Sequence, residues 1–305
     1  MSTICLLLMC AVASGQTGKD KGKPQPTAFV KLSVLVTDEF GQAVTDVSQD
    51  DFQILEDGVP QKITAFARRE GPLCYGLAID NSGSMRNSIK DVVEMGKFAV
   101  SQNSPGDETF VVRFIHGEEI ETMQDFSADQ ALLTDAVDSL YIDEGQSAIL
   151  DAVYVSIDRI EKYKRGDAKE CRRALVLITD GEDRASFYTQ EQLFKRLRGL
   201  DVPIFSIGFT KGIEDRRAHA RAVALLNRLA QETGGNVFFP HKPSDFTLIG
   251  KEIIAEMRLP YMIGYTSTNA ERNASERNLQ ITIRDVPGRG KRLAIARPAY
   301  KATVK

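Results

Sequence analysis

A carboxylate and two hydroxyls stand at every second position in Asp80-Asn81-Ser82-Gly83-Ser84. An apolar run over residues 73–79 stops at Asp80, and a helical period begins after Met85. A buried strand that ends on a carboxylate and turns into a helix puts that turn where parallel α/β sheets bind their ligands, at the carboxyl ends of strands. Asp80, Ser82 and Ser84 then offer three hard oxygens, the donor type that suits Mg²⁺, Ca²⁺ or Mn²⁺. The plainer account is a strand–turn–helix whose serines cap the helix, a task Ser84 can fill alone.

Asp80-x-Ser82-x-Ser84 resembles the metal-ion-dependent adhesion site of von Willebrand factor type A domains. That family draws two further pieces from later loops, and both have counterparts here. One is a Thr that opens a helix after a Gly-rich turn; Glu144-Gly145-Gln146-Ser147-Ala148-Ile149-Leu150-Asp151-Ala152 matches it, with Ser147 at the Thr position. The other is an Asp that closes a buried strand; Leu175-Val176-Leu177-Ile178-Thr179-Asp180-Gly181 matches it, with Asp180 in that role. The resemblance covers roughly residues 72–257.

The resemblance implies that the hydroxyls of Ser82, Ser84 and Ser147 touch a Mg²⁺ (or Mn²⁺ or Ca²⁺), while Asp80 and Asp180 act largely through bound waters and hydrogen bonds. Neutral hydroxyls leave the charge of the ion largely exposed. An open coordination position then attracts an Asp or Glu of a partner protein, which is adhesion without bond breaking. Ser147 keeps the hydroxyl of the usual Thr but loses its methyl, so its rotamer is less constrained and weaker metal affinity is expected. Asn81 and Met85 flank the motif and are candidates for its rim. Asp151 is either a carboxylate favoured near a helix N-terminus or a support behind the metal. Glu182 and Asp183 read as solvated loop charges.

Other chemistries fit less well. A phosphotransferase of the haloacid dehalogenase type also starts from an Asp at a strand end, but it needs a second Asp two residues on, where this chain has Ser82. There is no Gly-x-Ser-x-Gly elbow and no P-loop. His116, His219 and His241 lack zinc-ligand spacing. A structural part in an envelope assembly differs from adhesion only in its partner.

The elements that position these loops come from strand–helix alternation through the middle of the chain, which predicts an α/β fold with a doubly wound, mostly parallel six-stranded sheet flanked by helices over residues 72–257. Residues 120–123 read as a short antiparallel edge strand. Residues 29–70 alternate instead with period two between tight turns, and residues 261–266, 279–283 and 292–296 near the other end are also strand-like. Each end alone is thin for a core. Together, residues 29–70 and 258–305 predict one small β-sandwich with the α/β unit inserted. Their order resembles bacterial proteins called VWFA-related, first grouped in acidobacteria.

The chain has 305 residues, 42% hydrophobic and 27% charged, with net charge −3, which gives no basic face for nucleic acid. No internal stretch is long and apolar enough to cross a bilayer. Residues 1–15 read as an export signal, although no Lys or Arg precedes the apolar run, and residues 16–28 as a linker. Met9 before Cys10 argues against a lipidated cysteine. Export to the periplasm, cell envelope or exterior follows. Cys74 and Cys171 permit a disulfide. However, they stand six and nine residues before their rim aspartates, an offset of about 10 Å along a strand. That exceeds disulfide reach unless the chain bends, so two separate buried thiols are expected.

Overall fold

The computed structural model describes residues 29–302 apart from 41–43, 69–70, 167–169, 259–260, 270, 272–274 and 285–289. The expected export signal and linker lie outside the described residues. The described residues begin with β1 (Phe29–Asp38), β2 (Phe52–Glu56), β3 (Val59–Gln61) and β4 (Ile63–Arg68). Strands and helices then alternate through β5 (Leu73–Asp80), α1 (Ile89–Ser101), β6 (Glu108–Phe114), β7 (Ile120–Ser127), α2 (Gln130–Asp138) and α3 (Ile149–Lys162). They continue through β8 (Arg172–Thr179), α4 (Gln190–Leu197), β9 (Ile204–Gly208), α5 (Arg216–Thr233), β10 (Val237–Phe238) and α6 (Ser244–Arg258). Four strands follow: β11 (Tyr261–Thr266), β12 (Glu276–Ile283), β13 (Arg292–Ile295) and β14 (Ala299–Lys301).

The central sheet has the order β10-β9-β8-β5-β6-β7. Its neighbours are parallel except β7, which runs antiparallel to β6 at the edge. Every residue of β5 is buried, as a strand covered on both faces requires. Its side chains alternate between two cores. Tyr75, Leu77 and Ile79 pack with Val92 and Met95 of α1, Val137 of α2 and Ile253 of α6. Ala78 packs on the other face with Val153 of α3, Phe194 of α4 and Leu226 of α5. The chain leaves β5 toward β6 and later returns to β8 on its other side, so the crevice at the carboxyl ends of β5 and β8 is the topological switch point.

The two ends of the chain form two antiparallel sheets, β13-β1-β11-β4 and β14-β12-β2-β3. One apolar cluster joins them: Leu32 and Val34 of β1 and Ile263 of β11 meet Ile54 of β2, Leu279 of β12 and Tyr300 of β14. This is the expected sandwich, completed by strands from both termini. Two of its strands escape sequence reading. β3 carries Pro60, which suits its place at the sheet edge, and β14 is only three residues long. Glu56 lies in the sandwich interior and is satisfied there, accepting from the hydroxyls of Tyr265 at 2.7 Å, Ser267 at 2.6 Å and Tyr300 at 3.0 Å.

The expectation of two separate thiols is corrected. Cys74 and Cys171 are joined as a disulfide, with Cα atoms 5.7 Å apart. The offset was overestimated because Asp80 and Asp180 do not stand at the same height. Leu73 pairs with Arg172 and Ile79 with Ile178, so Asp80 is level with Thr179. Cys171 also precedes β8, and its backbone is free of the strand geometry that would hold the two residues apart.

Candidate metal centre

Three loops meet at the switch point. The first leaves β5. Backbone hydrogen bonds from Met85 N–H to Ser82 C=O at 3.0 Å and from Ser88 N–H to Met85 C=O at 2.8 Å form tight turns ahead of α1. Asp80 starts them: its Oδ1 accepts Ser82 N–H at 3.0 Å, the local bond that makes Asp a turn residue. This turn places the Ser82 and Ser84 hydroxyls 3.1 Å from each other.

The second loop precedes α3. Gly145 is required there, since a Cβ would sit 2.4 Å from Cγ2 of Ile115. Ala148 N–H bonds Ile115 C=O at 2.7 Å, tying the loop to the end of β6. The Ser147 hydroxyl then donates to Asp80 Oδ2 at 2.8 Å. The third loop leaves β8 through Asp180 and Gly181, which has φ 85°. Arg184 and Ala185 N–H both bond the Ser147 carbonyl, at 2.8 and 3.0 Å, stitching the third loop to the second.

The structure thus gathers Asp80, Ser82, Ser84, Ser147 and Asp180 at one rim. Ser84 is exposed and the other four are buried. Burial, and then the negative charge of Asp180, push the Asp80 carboxyl up to about 6, against the pull of hydrogen bonds from Thr179 and Ser82. Burial also raises Asp180, while a hydrogen bond from Ser84 and one from Glu182 N–H oppose the rise. Two desolvated carboxyls that disfavour each other's charge make a site that calls for a cation. The remaining donors are hydroxyls, so the set is oxygen throughout. These residues fit a hard divalent ion.

Thr179 belongs with this group, though sequence reading missed it. Fully buried, its hydroxyl donates to Asp80 Oδ2 at 2.5 Å and accepts Gly181 N–H at 3.1 Å. The strand register, which levels Thr179 with Asp80, was the signal that would have found it. The flanking candidates fare differently. Met85 is buried in the core rather than set on the rim. Asn81 is also buried; its Nδ2 donates to Tyr141 C=O at 2.8 Å and its own carbonyl accepts Asp143 N–H at 3.0 Å, binding the first loop to the second. Asp151 accepts Phe187 N–H at 2.8 Å and Tyr188 N–H at 2.9 Å, so its carboxylate holds the third loop. Asp183 accepts Leu150 N–H at 3.3 Å at the start of α3 and is half-buried, a more structural place than a solvated charge. Glu182 is half-buried too and pairs with Arg184.

The sequence matches the family model of the von Willebrand factor type A domain over residues 76–252. No curated protein sequence matches it. Among solved structures, a von Willebrand factor type A protein from Catenulispora acidiphila is 15% identical, with TM-score 0.47, over 92% of this chain and 74% of that one. An aerotolerance-related membrane protein from Bacteroides fragilis is 17% identical, with TM-score 0.48, over 61% of this chain and 98% of the other. Proximal thread matrix protein 1 from the mussel byssus, in a form whose own adhesion-site motif holds zinc, is 19% identical with TM-score 0.48, over 66% of this chain and 49% of its own.

Proposed function

We propose that this chain, which belongs to the von Willebrand factor type A domain family, is an exported, non-catalytic binding module that takes an acidic side chain of a protein partner at a divalent metal. Asp80, Ser82, Ser84, Ser147 and Asp180 would hold the ion, Mg²⁺ or else Mn²⁺ or Ca²⁺. When bound, it supplies a Lewis-acidic position for a partner's Asp or Glu.

The observation that carries this reading is the use of Asp80 as an acceptor for the Ser147 hydroxyl at 2.8 Å. A hydroxyl whose proton is committed to a carboxylate offers its remaining lone pairs outward. The side chain of Asp80 therefore orients a neutral ligand. Mostly neutral ligands leave a cation electrophilic, which favours capture of an outside carboxylate over a closed, self-neutralised cage. The engagement of both carboxylates also supports a non-catalytic role. Asp80 accepts three hydrogen bonds, and Asp180 accepts Glu182 N–H at 2.9 Å; both carboxylates serve to order the three loops. The Cys74–Cys171 disulfide is in keeping with an oxidising compartment, and no described helix is long and apolar enough to cross a membrane.

The test is affinity capture from envelope extract with immobilised protein in Mg²⁺. The expected partner elutes with chelator and is absent from a Ser82→Ala/Ser84→Ala matrix. A partner retained equally by both matrices and indifferent to chelator would contradict the reading. Binding through one metal bridge should be modest, with a micromolar Kd, about −8 kcal/mol.

A further inference from the structure

The third loop turns an aromatic side chain outward beside the metal centre. Phe187 is 83% exposed, yet its backbone is pinned because the N–H groups of Phe187 and Tyr188 donate to the Asp151 carboxylate. The Tyr188 ring stacks on Tyr154 at 4.0 Å and meets Phe187 edge-on at 5.5 Å. A loop tied by a buried carboxylate and braced by a ring stack holds Phe187 in place. Next to it opens a cavity of about 540 Å³, whose apolar walls are Ile120, Val155, Ala185, Phe187 and Tyr188.

This cavity lies against two of the loops that build the metal centre. Ala185 lines it, and the N–H of the same residue bonds the carbonyl of Ser147 at 3.0 Å. Asp151, also in its wall, sits in the first turn of α3, directly after the Ser147 turn. A metal-held carboxylate by itself recognises any acid. Selection among partners needs a second contact that tells one acidic segment from another, and buried apolar anchors are what supply such discrimination at protein interfaces.

We propose that the Phe187 cavity takes a bulky apolar or aromatic side chain from the same partner segment whose Asp or Glu reaches the metal. The partner motif is therefore an acid with a Leu, Phe or Trp a few positions away. This rests on the metal-site reading above.

The test uses a library of short random peptides displayed on phage, selected on the full chain in Mg²⁺ and eluted with chelator. Wild-type protein is expected to enrich peptides that pair an acid with a bulky apolar residue at a preferred spacing. Phe187→Ala, which leaves the backbone bonds to Asp151 intact, is expected to keep the acid and lose the apolar preference. A wild-type-selected peptide should bind that variant roughly tenfold more weakly. An unchanged apolar preference and affinity in Phe187→Ala overturns the cavity assignment while leaving the metal site standing. Absence of any chelator-eluted enrichment on wild type instead overturns the metal reading, and this proposal with it. A wild-type dimer in sedimentation velocity that Phe187→Ala dissociates would assign the cavity to self-association and likewise overturn the proposal.

Discussion

The Ser147 hydroxyl donates to the Asp80 carboxylate at 2.8 Å across a sequence separation of 67 residues. That bond joins the end of β5 to the start of α3. It converts Asp80 from a free charge into a group that aims a neutral ligand.

Removing the hydroxyls of the first loop should abolish metal-linked stabilisation. Ser82 and Ser84 bond each other at 3.1 Å, and Ser84 also bonds Asp180, so Ser82→Ala/Ser84→Ala should cost the apo fold about 1 kcal/mol. With Mg²⁺ at a hundredfold excess over its Kd, wild type should gain about 2.7 kcal/mol, read as a melting rise of about 5–10 °C. The double variant should show none. Differential scanning calorimetry with and without Mg²⁺ checks this.

Position 147 should grade the affinity. Ser147→Ala leaves Asp80 Oδ2 with only Thr179 as hydroxyl donor, a loss of about 1 kcal/mol or more in stability together with weaker metal binding. Ser147→Thr keeps the hydroxyl and narrows its rotamers, so its Mg²⁺ affinity should equal or exceed that of wild type. Isothermal titration with Mg²⁺ ranks the three proteins.

The disulfide should stabilise without touching the metal. It closes a sequence separation of 97 residues between the leading ends of β5 and β8, and Asp80 lies at the far end of β5. Cys74→Ser/Cys171→Ser should cost about 2–4 kcal/mol in denaturant unfolding. Its Mg²⁺ affinity should match wild type.

Glu256 should make stability depend on pH. Burial pushes its carboxyl up to about 7 from an ordinary 4.5, only partly offset by a hydrogen bond from Asn236. Between those values the folded chain holds a proton that the unfolded chain has released. The contribution of Glu256 is therefore greatest below pH 4.5 and is lost as pH rises through about 7. The full loss is about 3 kcal/mol. Glu256→Gln should flatten this part of the profile, so the wild-type-minus-variant stability difference should fall from pH 4 to pH 8, measured by urea unfolding.

Much of the fold was legible because burial leaves simple marks. The run ending at Asp80 is apolar throughout because β5 is covered on both faces, and the alternation in β1 and β12 reflects a sandwich with one wet face. The site residues were legible because each closes a strand or opens a helix at the same rim. What stayed hidden depends on register. Thr179 follows from β8 sitting one residue out of the assumed step with β5, and the Cys74–Cys171 bond from that shift together with the place of Cys171 ahead of β8. Met85 looks like a rim residue from spacing alone, but the turn over Gly83–Met85 swings it into the core. The grip of Asp151 on Phe187 and Tyr188 joins residues 36 and 37 positions apart and carries no local pattern.

The most direct measurement is anomalous diffraction from a crystal soaked in MnCl₂. The expected result is one strong peak within bonding distance of the Ser82, Ser84 and Ser147 hydroxyls, flanked by Asp80 and Asp180. Manganese bound elsewhere, or a crystal free of anomalous signal between these three loops, would contradict the account.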